Sequence, residues 1–169
     1  ELAMLRRLGG SESNILIMQG NLANTYSHLG REEEALRMRR DVYSGRLKLS
    51  GEEHPETIRE ATNYAASLVN LQHFKEARAL LRKTMPVARR VLGEGREFTL
   101  RMRGVNAEAL YRDPAATLDD LREAVTTLED VERIARRVFG GAHPPTVNIE
   151  RGLRNARAAL RARETPSPG

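Results

Sequence analysis

The chain has 169 residues and a net charge of +5, with 40% hydrophobic residues but only 4% aromatic ones. This composition favours a core of small aliphatic side chains between packed helices over a β-sandwich. The absence of cysteine excludes disulfides and thiolate zinc sites. The longest apolar run, Ile15 to Met18, is far too short to span a bilayer, and no signal-peptide pattern is present, so we expect a cytoplasmic location.

A short motif recurs along the chain with a period of 42 residues. Gly51 to Thr57 reads GEEHPET, and Gly93 to Thr99 reads GEGREFT. The pattern is also found as GGSES from Gly9 and as GGAHPPT from Gly140. A fixed period of this size is typical of a solenoid, in which each unit buries its apolar face against its neighbours.

The period divides the chain into units within a single array over residues 1–163. The predicted divisions are the tail of a preceding helix at 1–8, repeats at 9–50, 51–92 and 93–139, a terminal first helix at 140–163 and a flexible tail at 164–169. Apolar residues spaced three or four apart predict two helices in each repeat.

Local signals predict where the helices start and stop. Ser11 or Ser13 can cap the first helix, and Gly30 can end it. Pro55 suits a first helical turn, whereas Pro86 lies inside a helical pattern and predicts a kink without a break.

The third repeat is longer than the second by five residues, which are inserted after Tyr111. Because Asp-Pro is a good cap and first-turn pair, Asp113 and Pro114 predict that the second helix starts early, near Pro114, and is about one turn longer. A longer loop is the alternative.

These units resemble tetratricopeptide repeats. The resemblance rests on Asn21 to Tyr26 (NLANTY), on Gly30 to Leu36 (GREEEAL) and on small residues that recur in both helices of each repeat: Ala23, Ala65 and Ala107, then Ala35, Ala77 and Ala124. Small residues there allow close helix packing. The period of 42 and the His-Pro-Glu-Thr opening resemble the kinesin-light-chain subtype. The resemblance implies an all-α, right-handed α-solenoid of antiparallel helix pairs that serves as a protein-interaction scaffold.

The sequence carries no catalytic, metal-binding or phosphate-binding motif. His54 and His143 occupy equivalent places before proline, so we interpret them as residues that hold the turn into a helix. We therefore expect a protein that is not an enzyme and that needs no cofactor or metal.

The resemblance implies that the concave face, lined by the first helices, binds an extended peptide segment of a partner protein. The predicted binding residues are Asn21, Asn24, His28, Arg59, Asn63, Asn70, Arg101, Glu108 and Arg112. The same counting places further residues on this face, namely Ile17, Gly20, Ser27, Thr62, Ala66, Val69, Gly104, Val105 and Tyr111. Asparagines can hydrogen-bond a peptide backbone, and arginines can pair with its carboxylates.

Some members of the family hold the terminal carboxylate of a partner with a five-residue clamp. Asn24, Asn63 and Arg101 match three of its positions, but Gly20 and Val105 replace its two basic residues. An internal acidic segment is therefore the favoured ligand.

Two alternative functions remain open. The pI near 10 and the arginines of the last helix (Arg151, Arg154, Arg157 and Arg161) would suit nucleic acid or another polyanion, although few aromatic residues are present for base stacking. The array could instead be a structural spacer of a larger polypeptide and associate end to end, since an exposed solenoid end invites stacking. No membrane partner is expected.

Overall fold

The computed structural model describes residues 11–165, and within this range all regular structure is helical. Seven helices follow one another: α1 Glu12–His28, α2 Glu32–Ser50, α3 Pro55–Asn70, α4 Phe74–Leu92, α5 Glu97–Tyr111, α6 Leu118–Phe139 and α7 Pro144–Glu164. The all-α prediction is confirmed. The predicted helix end at residues 1–8 and most of the predicted tail, from residue 166 on, lie outside the described residues.

The helices form two layers. Each helix packs on the next one, and the short connections make these neighbours antiparallel. In the odd-numbered layer, α3 packs on α5 and α5 packs on α7, whereas α1 packs on α2 alone. The groove, as we use the term, is the face of the odd-numbered layer that points away from the even-numbered helices.

Small residues let these helices approach closely. The alanines predicted at this role are all fully buried: Ala23, Ala35, Ala65, Ala77, Ala107 and Ala124. Larger side chains fill two core clusters, one among α3, α4 and α5 and the other among α5, α6 and α7. Because α5 contributes to both clusters, it joins the two halves of the array.

The repeat motif forms the connection between successive units. Gly51, Gly93 and Gly140 each follow the last residue of an even-numbered helix, and their φ values lie between 81° and 96°. This backbone region strongly favours glycine. After the first of these glycines, the Nδ1 atom of His54 accepts a hydrogen bond from the amide of Glu56, and Pro55 occupies the first helical position. The predicted structural role of His54 is thus confirmed.

The start of α6 differs from the prediction. Helix α6 begins at Leu118 rather than near Pro114, because Asp113 accepts the amide of Ala115 and closes a turn instead of a helix. Thr117 caps α6, with the reciprocal bonds of a capping box between Thr117 and Asp120. Both expectations hold in part, since the loop is longer and α6 has 22 residues against 19 in α4.

Three other predictions concern the start of α1, the continuity of α4 and the end of α7. Ser11, not Ser13, caps α1, accepting from the amide of Asn14 at 3.3 Å. Helix α4 is continuous through Pro86, so the proline does not end it. Glu164, which the sequence assigned to the flexible tail, is the last residue of α7 and pairs with Arg122.

Candidate functional site

The groove contains a cleft of about 490 Å³ between α3, α5 and α7. Its lining combines apolar side chains such as Val105 and Ile149 with polar groups at the rim. Of the nine predicted binding residues, Arg101 and Glu108 line this cleft. Of the further predicted positions, the cleft includes Ala66, Gly104, Val105 and Tyr111.

Gly104 opens the middle of the cleft. It lies inside α5, and a Cβ atom added to it would meet no other atom within 4 Å. A glycine in a helix interior costs about 0.5–1 kcal/mol relative to alanine. Packing within the array therefore gives no reason for glycine here, and its effect is to keep the cleft open.

Helix α7 supplies groove residues that the sequence analysis did not include. Asn148, Arg151, Gly152 and Asn155 line the cleft opposite α5. In the other odd-numbered helices, the groove positions were counted from the recurring small residue, and Arg154 takes the place of that residue in α7. Counting from the repeated glycine motif would have identified these four residues.

Several predicted binding residues are held by partners inside the array. The guanidinium of Arg59 donates to Glu56 at 3.0 Å and to Glu60 at 3.1 Å. Asn63 also donates to Glu60, at 3.3 Å, and Arg112 pairs with Glu108 at 2.8 Å.

The predicted asparagines and the histidine of the groove differ in their surroundings. Asn24 accepts a hydrogen bond from Arg39 at 2.9 Å. Asn21 and His28 on α1 and Asn70 at the end of α3 are exposed, but none of them lines the cleft.

Two further positions predicted to face the groove are buried instead. Thr62 is fully buried and donates its hydroxyl to the carbonyl of Ile58 at 2.9 Å. Val69 is 1% exposed and belongs to the core cluster of α3, α4 and α5. Val69 thus packs among core residues of α4 and α5 instead of facing the groove.

Arg101 is the groove arginine with the fewest hydrogen bonds and ion pairs to other residues of the array. It is exposed, and within residues 11–165 it forms no ion pair. The surrounding walls remove part of its hydration and lower its pKa, while the carboxylates of Glu97 and Glu60 raise it. Arginine remains charged throughout the physiological range. Arg151 across the cleft donates only to the side chain of Asn148 among the described residues.

Arginines outside the groove are mostly engaged. Arg157 of α7 pairs with Glu129 at 2.7 Å, and Arg136 pairs with Glu150 at 2.6 Å. Arg163 donates to the carbonyl oxygens of Ala116 and Pro114. Of the four arginines of α7 that the polyanion alternative names, Arg157 alone forms an ion pair within residues 11–165, so that alternative stays a prediction.

Over the part of the chain that the structure describes, no cluster of three metal-binding side chains occurs. None of the described helices is long and apolar enough to cross a membrane.

The fold and the groove define an α-solenoid of helix pairs, and comparisons with known proteins show what it is similar to. Residues 14–89 match the family model described as tetratricopeptide repeat. That match covers the first two repeats, and the fold of the array as a whole is similar to that of kinesin-light-chain-like repeats. Among curated proteins, none has a matching sequence.

Three solved structures show the likeness in fold. A substituted form of a Podosopora anserina protein, described as a kinesin light chain with nearly identical TPR-like repeats, has a TM-score of 0.75 at 23% identity. A second structure of those repeats has a TM-score of 0.72 at 23% identity, and both comparisons cover 96% of this chain and 75% of the other. BtubC (BKLC) from P. vanneervenii has a TM-score of 0.67 at 15% identity, covering 94% of this chain and 69% of that one. The predicted TPR-like solenoid is confirmed.

Proposed function

We propose that this protein is a non-enzymatic scaffold that binds an extended, acidic segment of a partner protein in its groove. One observation carries the proposal: an open cleft of about 490 Å³ is flanked by two guanidinium groups, those of Arg101 and Arg151, that bind no carboxylate among residues 11–165. Within residues 11–165 many other arginines of the array pair with internal carboxylates, whereas these two do not and lie at the cleft, so they are available to a ligand there.

The charge around the cleft favours an acidic ligand. Glu108 is neutralised by Arg112 at 2.8 Å, so it does not offset the charge of Arg101. Glu97 is the remaining carboxylate of the lining. A guanidinium can bind a carboxylate through two parallel hydrogen bonds, which gives both strength and orientation.

The cleft also suits an extended backbone. Asn148 and Asn155 of α7 are exposed at its rim, where their amides can donate to and accept from peptide groups. Val105 and Ile149 provide apolar surface below them. An extended peptide alternates its side chains, so one set can enter the cleft while acidic side chains on either side reach the arginines.

A display selection tests the proposal. A random peptide library is selected on the wild-type chain and, in parallel, on the double variant Arg101→Gln, Arg151→Gln. Enriched peptides should contain Asp or Glu, and their affinity for the double variant should fall by a factor on the order of tenfold or more. The matched control is Arg82→Gln, Arg137→Gln, which removes two exposed arginines that lie outside the groove cleft and form no ion pair within the described range.

Three results would overturn the proposal. The first is that the library gives no enriched peptide. The second is that the selected peptides bind the groove double variant and the control double variant equally well. The third is enrichment of basic rather than acidic peptides.

A further inference from the structure

A second cleft, of about 320 Å³, lies between α4 and α6, and we call it the outer cleft. Helices α4 and α6 each pack on α5 and not on each other, so α5 forms the bottom of the space between them. Asn106 and Leu110 of α5 line the outer cleft. Successive residues of a helix are about 100° apart, so Asn106 is about 200° from Gly104 of the groove. The outer cleft and the groove therefore lie on opposite faces of α5.

Three arginines of α4 line the outer cleft, namely Arg78, Arg82 and Arg89. Their spacing places them within about 40° of one another around the helix, and about 16 Å separates the Cα atoms of the outer two. Arg78 donates through Nη2 to the Oδ1 atom of Asp120 at 3.0 Å, and Arg89 pairs through Nε with the Oε1 atom of Glu94 at 3.1 Å. A guanidinium has several N–H donors, so each keeps others for a ligand.

Arg82, the middle arginine, has no internal partner. It is exposed and forms neither an ion pair nor a side-chain hydrogen bond within residues 11–165. The half-buried amide of Asn106 also forms no side-chain hydrogen bond in that range. A charged donor and an amide therefore line the same cleft, and both are open to a ligand.

The next repeat fills the equivalent place with an ion pair. Counted from the repeated glycine, Glu129 of α6 corresponds to Arg82, and Arg157 of α7 corresponds to Leu110. Glu129 and Arg157 pair at 2.7 Å. The array thus supplies its own counter-charge in one repeat, whereas in the other repeat the guanidinium of Arg82 is left for an anion from outside.

Pro86 adds a main-chain acceptor to the same wall of the outer cleft. Proline is the least favourable residue in a helix interior, because it has no N–H. The carbonyl of Arg82 therefore lacks the amide that another residue at position 86 would donate. Pro86 is exposed, so burial of its ring does not explain its presence. An acceptor beside a guanidinium suits a ligand that carries an N–H close to its anionic group, as a polypeptide does.

A phosphate group matches these arginines better than a carboxylate does. It carries nearly twice the charge of a carboxylate and more acceptor oxygens. Clusters of arginines recognise phosphorylated segments for this reason. We propose that the outer cleft binds a phosphorylated serine or threonine of a partner protein, with the phosphate on Arg82 and Asn106 and between Arg78 and Arg89. The carboxylate of Glu123, which also lines the outer cleft, opposes the bound phosphate.

Four fluorescently labelled probes test this site. Three are pools of twelve-residue peptides with amidated termini and random uncharged residues around a central phosphoserine, glutamate or serine. The fourth is a single-stranded oligonucleotide. The retained fraction is measured on the immobilised full chain that carries Arg101→Gln and Arg151→Gln, so that the groove arginines do not contribute.

Four further substitutions are compared in that background. Arg82→Gln and Asn106→Leu remove the proposed phosphate contacts, and Glu123→Gln removes the opposing charge. The control is Arg137→Gln, which removes an exposed arginine that lies outside the outer cleft and forms no ion pair within the described residues. Circular dichroism checks the helical fold of each variant.

The phosphoserine pool should be retained well above the serine pool. Arg82→Gln and Asn106→Leu should each reduce that retention by a factor on the order of tenfold, and Arg137→Gln should leave it unchanged. Glu123→Gln should raise it roughly threefold, a change that loss of the fold does not produce. In the chain with an intact groove, Arg82→Gln should not affect the peptides selected on the groove, since the two sites are on opposite faces.

Three results would overturn the proposal. One is equal retention of the phosphoserine and serine pools, or retention that Arg82→Gln does not change. Another is equal retention of the glutamate and phosphoserine pools, which would make the ligand a carboxylate. The last is Arg82-dependent retention of the oligonucleotide that equals the retention of the phosphoserine pool, which would make the outer cleft a polyanion site. None of these results bears on the groove, because its two arginines are absent from these proteins.

Discussion

The guanidinium of Arg103, on α5, donates to the Oδ2 atom of Asp130, on α6, across 2.6 Å. Arg103 is 7% exposed, and its Nε atom has no acceptor among the described residues. Apart from Asp130, the nearest carboxylate is that of Glu94, at 3.6 Å. The charge of Arg103 thus depends mainly on one partner, and the pair joins two helices of the second core cluster.

Replacing Asp130 with Asn should lower the free energy of unfolding by about 1.5–3 kcal/mol, because a buried charge loses its hydrogen-bonded counter-ion. Urea unfolding followed by circular dichroism measures the change. The control is Asp41→Asn, since Asp41 and Arg40 form an exposed pair at 3.6 Å. Exposed pairs of this kind contribute less than about 1 kcal/mol. Equal effects of the two substitutions would contradict the role of the Arg103–Asp130 pair.

The same carboxylate should make stability depend on acid pH. The hydrogen bond from Arg103 holds the pKa of Asp130 below its ordinary value of 3.8, and hydrogen bonds from Thr117 do the same for Asp120. A lowered pKa in the folded state contributes stability that is complete above the ordinary value and is lost as the pH falls towards the folded pKa.

Melting temperatures measured between about pH 5 and pH 2 should therefore fall less steeply for Asp130→Asn and Asp120→Asn than for the wild type. Asp41→Asn, in the exposed pair with Arg40, is the control and should follow the wild-type curve. A wild-type slope in all three variants would show that these carboxylates do not link protonation to folding.

Gln72 adopts a backbone conformation that suits glycine better. Its φ is 63°, and Gly30, one period of 42 residues earlier, has a φ of 75° at the same turn. Replacing Gln72 with Gly should raise the free energy of unfolding by about 0.5–1 kcal/mol, after the greater chain entropy of glycine is subtracted. Gly30→Gln should lower it by a similar amount. Thermal unfolding of both variants tests this prediction, and a loss of stability in Gln72→Gly would contradict it.

The fold could be predicted from sequence because its signals are local and repeated. In each unit, the recurring alanines indicate where helices pack closely, and the glycine of the repeat motif indicates where the second helix ends. The start of α6 was not predicted correctly, because Asp113 and Pro114 were identified as a cap and first-turn pair from their own side chains alone. The reciprocal hydrogen bonds between Thr117 and Asp120 cap the helix instead.

The groove was harder to predict because it depends on which partner each side chain finds. Arg59 and Arg101 occupy the same place in successive repeats, yet Arg59 is bound to Glu56 and Glu60, whereas Arg101 has no ion pair among residues 11–165. Arg39 belongs to α2, yet it donates to Asn24, one of the predicted binding residues on α1. Neither relationship follows from periodicity.

Two glycines inside helices should respond to alanine in opposite ways. At Gly45, on α2, a Cβ atom would lie 2.6 Å from the Cδ2 atom of the buried Leu16, whereas at Gly104 nothing lies within 4 Å. Gly104→Ala should stabilise the protein by about 0.5–1 kcal/mol through helix propensity alone. Gly45→Ala should destabilise it by about 1 kcal/mol, because overpacking outweighs the same gain.

A double-mutant cycle with Leu16→Ala isolates the cause of the Gly45 effect. In the Leu16→Ala background the contact is removed, so Gly45→Ala should become stabilising. A destabilising effect of equal size in both backgrounds would mean that Leu16 is not responsible. Chemical denaturation of the four proteins supplies the required free energies.

Filling the cleft at Gly104 separates binding from folding. Gly104→Leu places a side chain in the open space between α5 and α7, where no atom of the array lies within 4 Å of the new Cβ. The variant should fold at least as stably as the wild type, because leucine is a better helix former than glycine. It should also bind the peptides selected on the wild type at least about tenfold more weakly, since a side chain of the ligand and the new leucine would compete for one space.

Gly104→Ala is the matched control for this binding measurement. It adds only the Cβ atom, so it should keep most of the affinity while it gains the same kind of helical stability. Fluorescence anisotropy with one labelled selected peptide compares the three proteins, and thermal unfolding confirms that each is folded. Wild-type affinity in a folded Gly104→Leu variant would place the ligand outside the cleft.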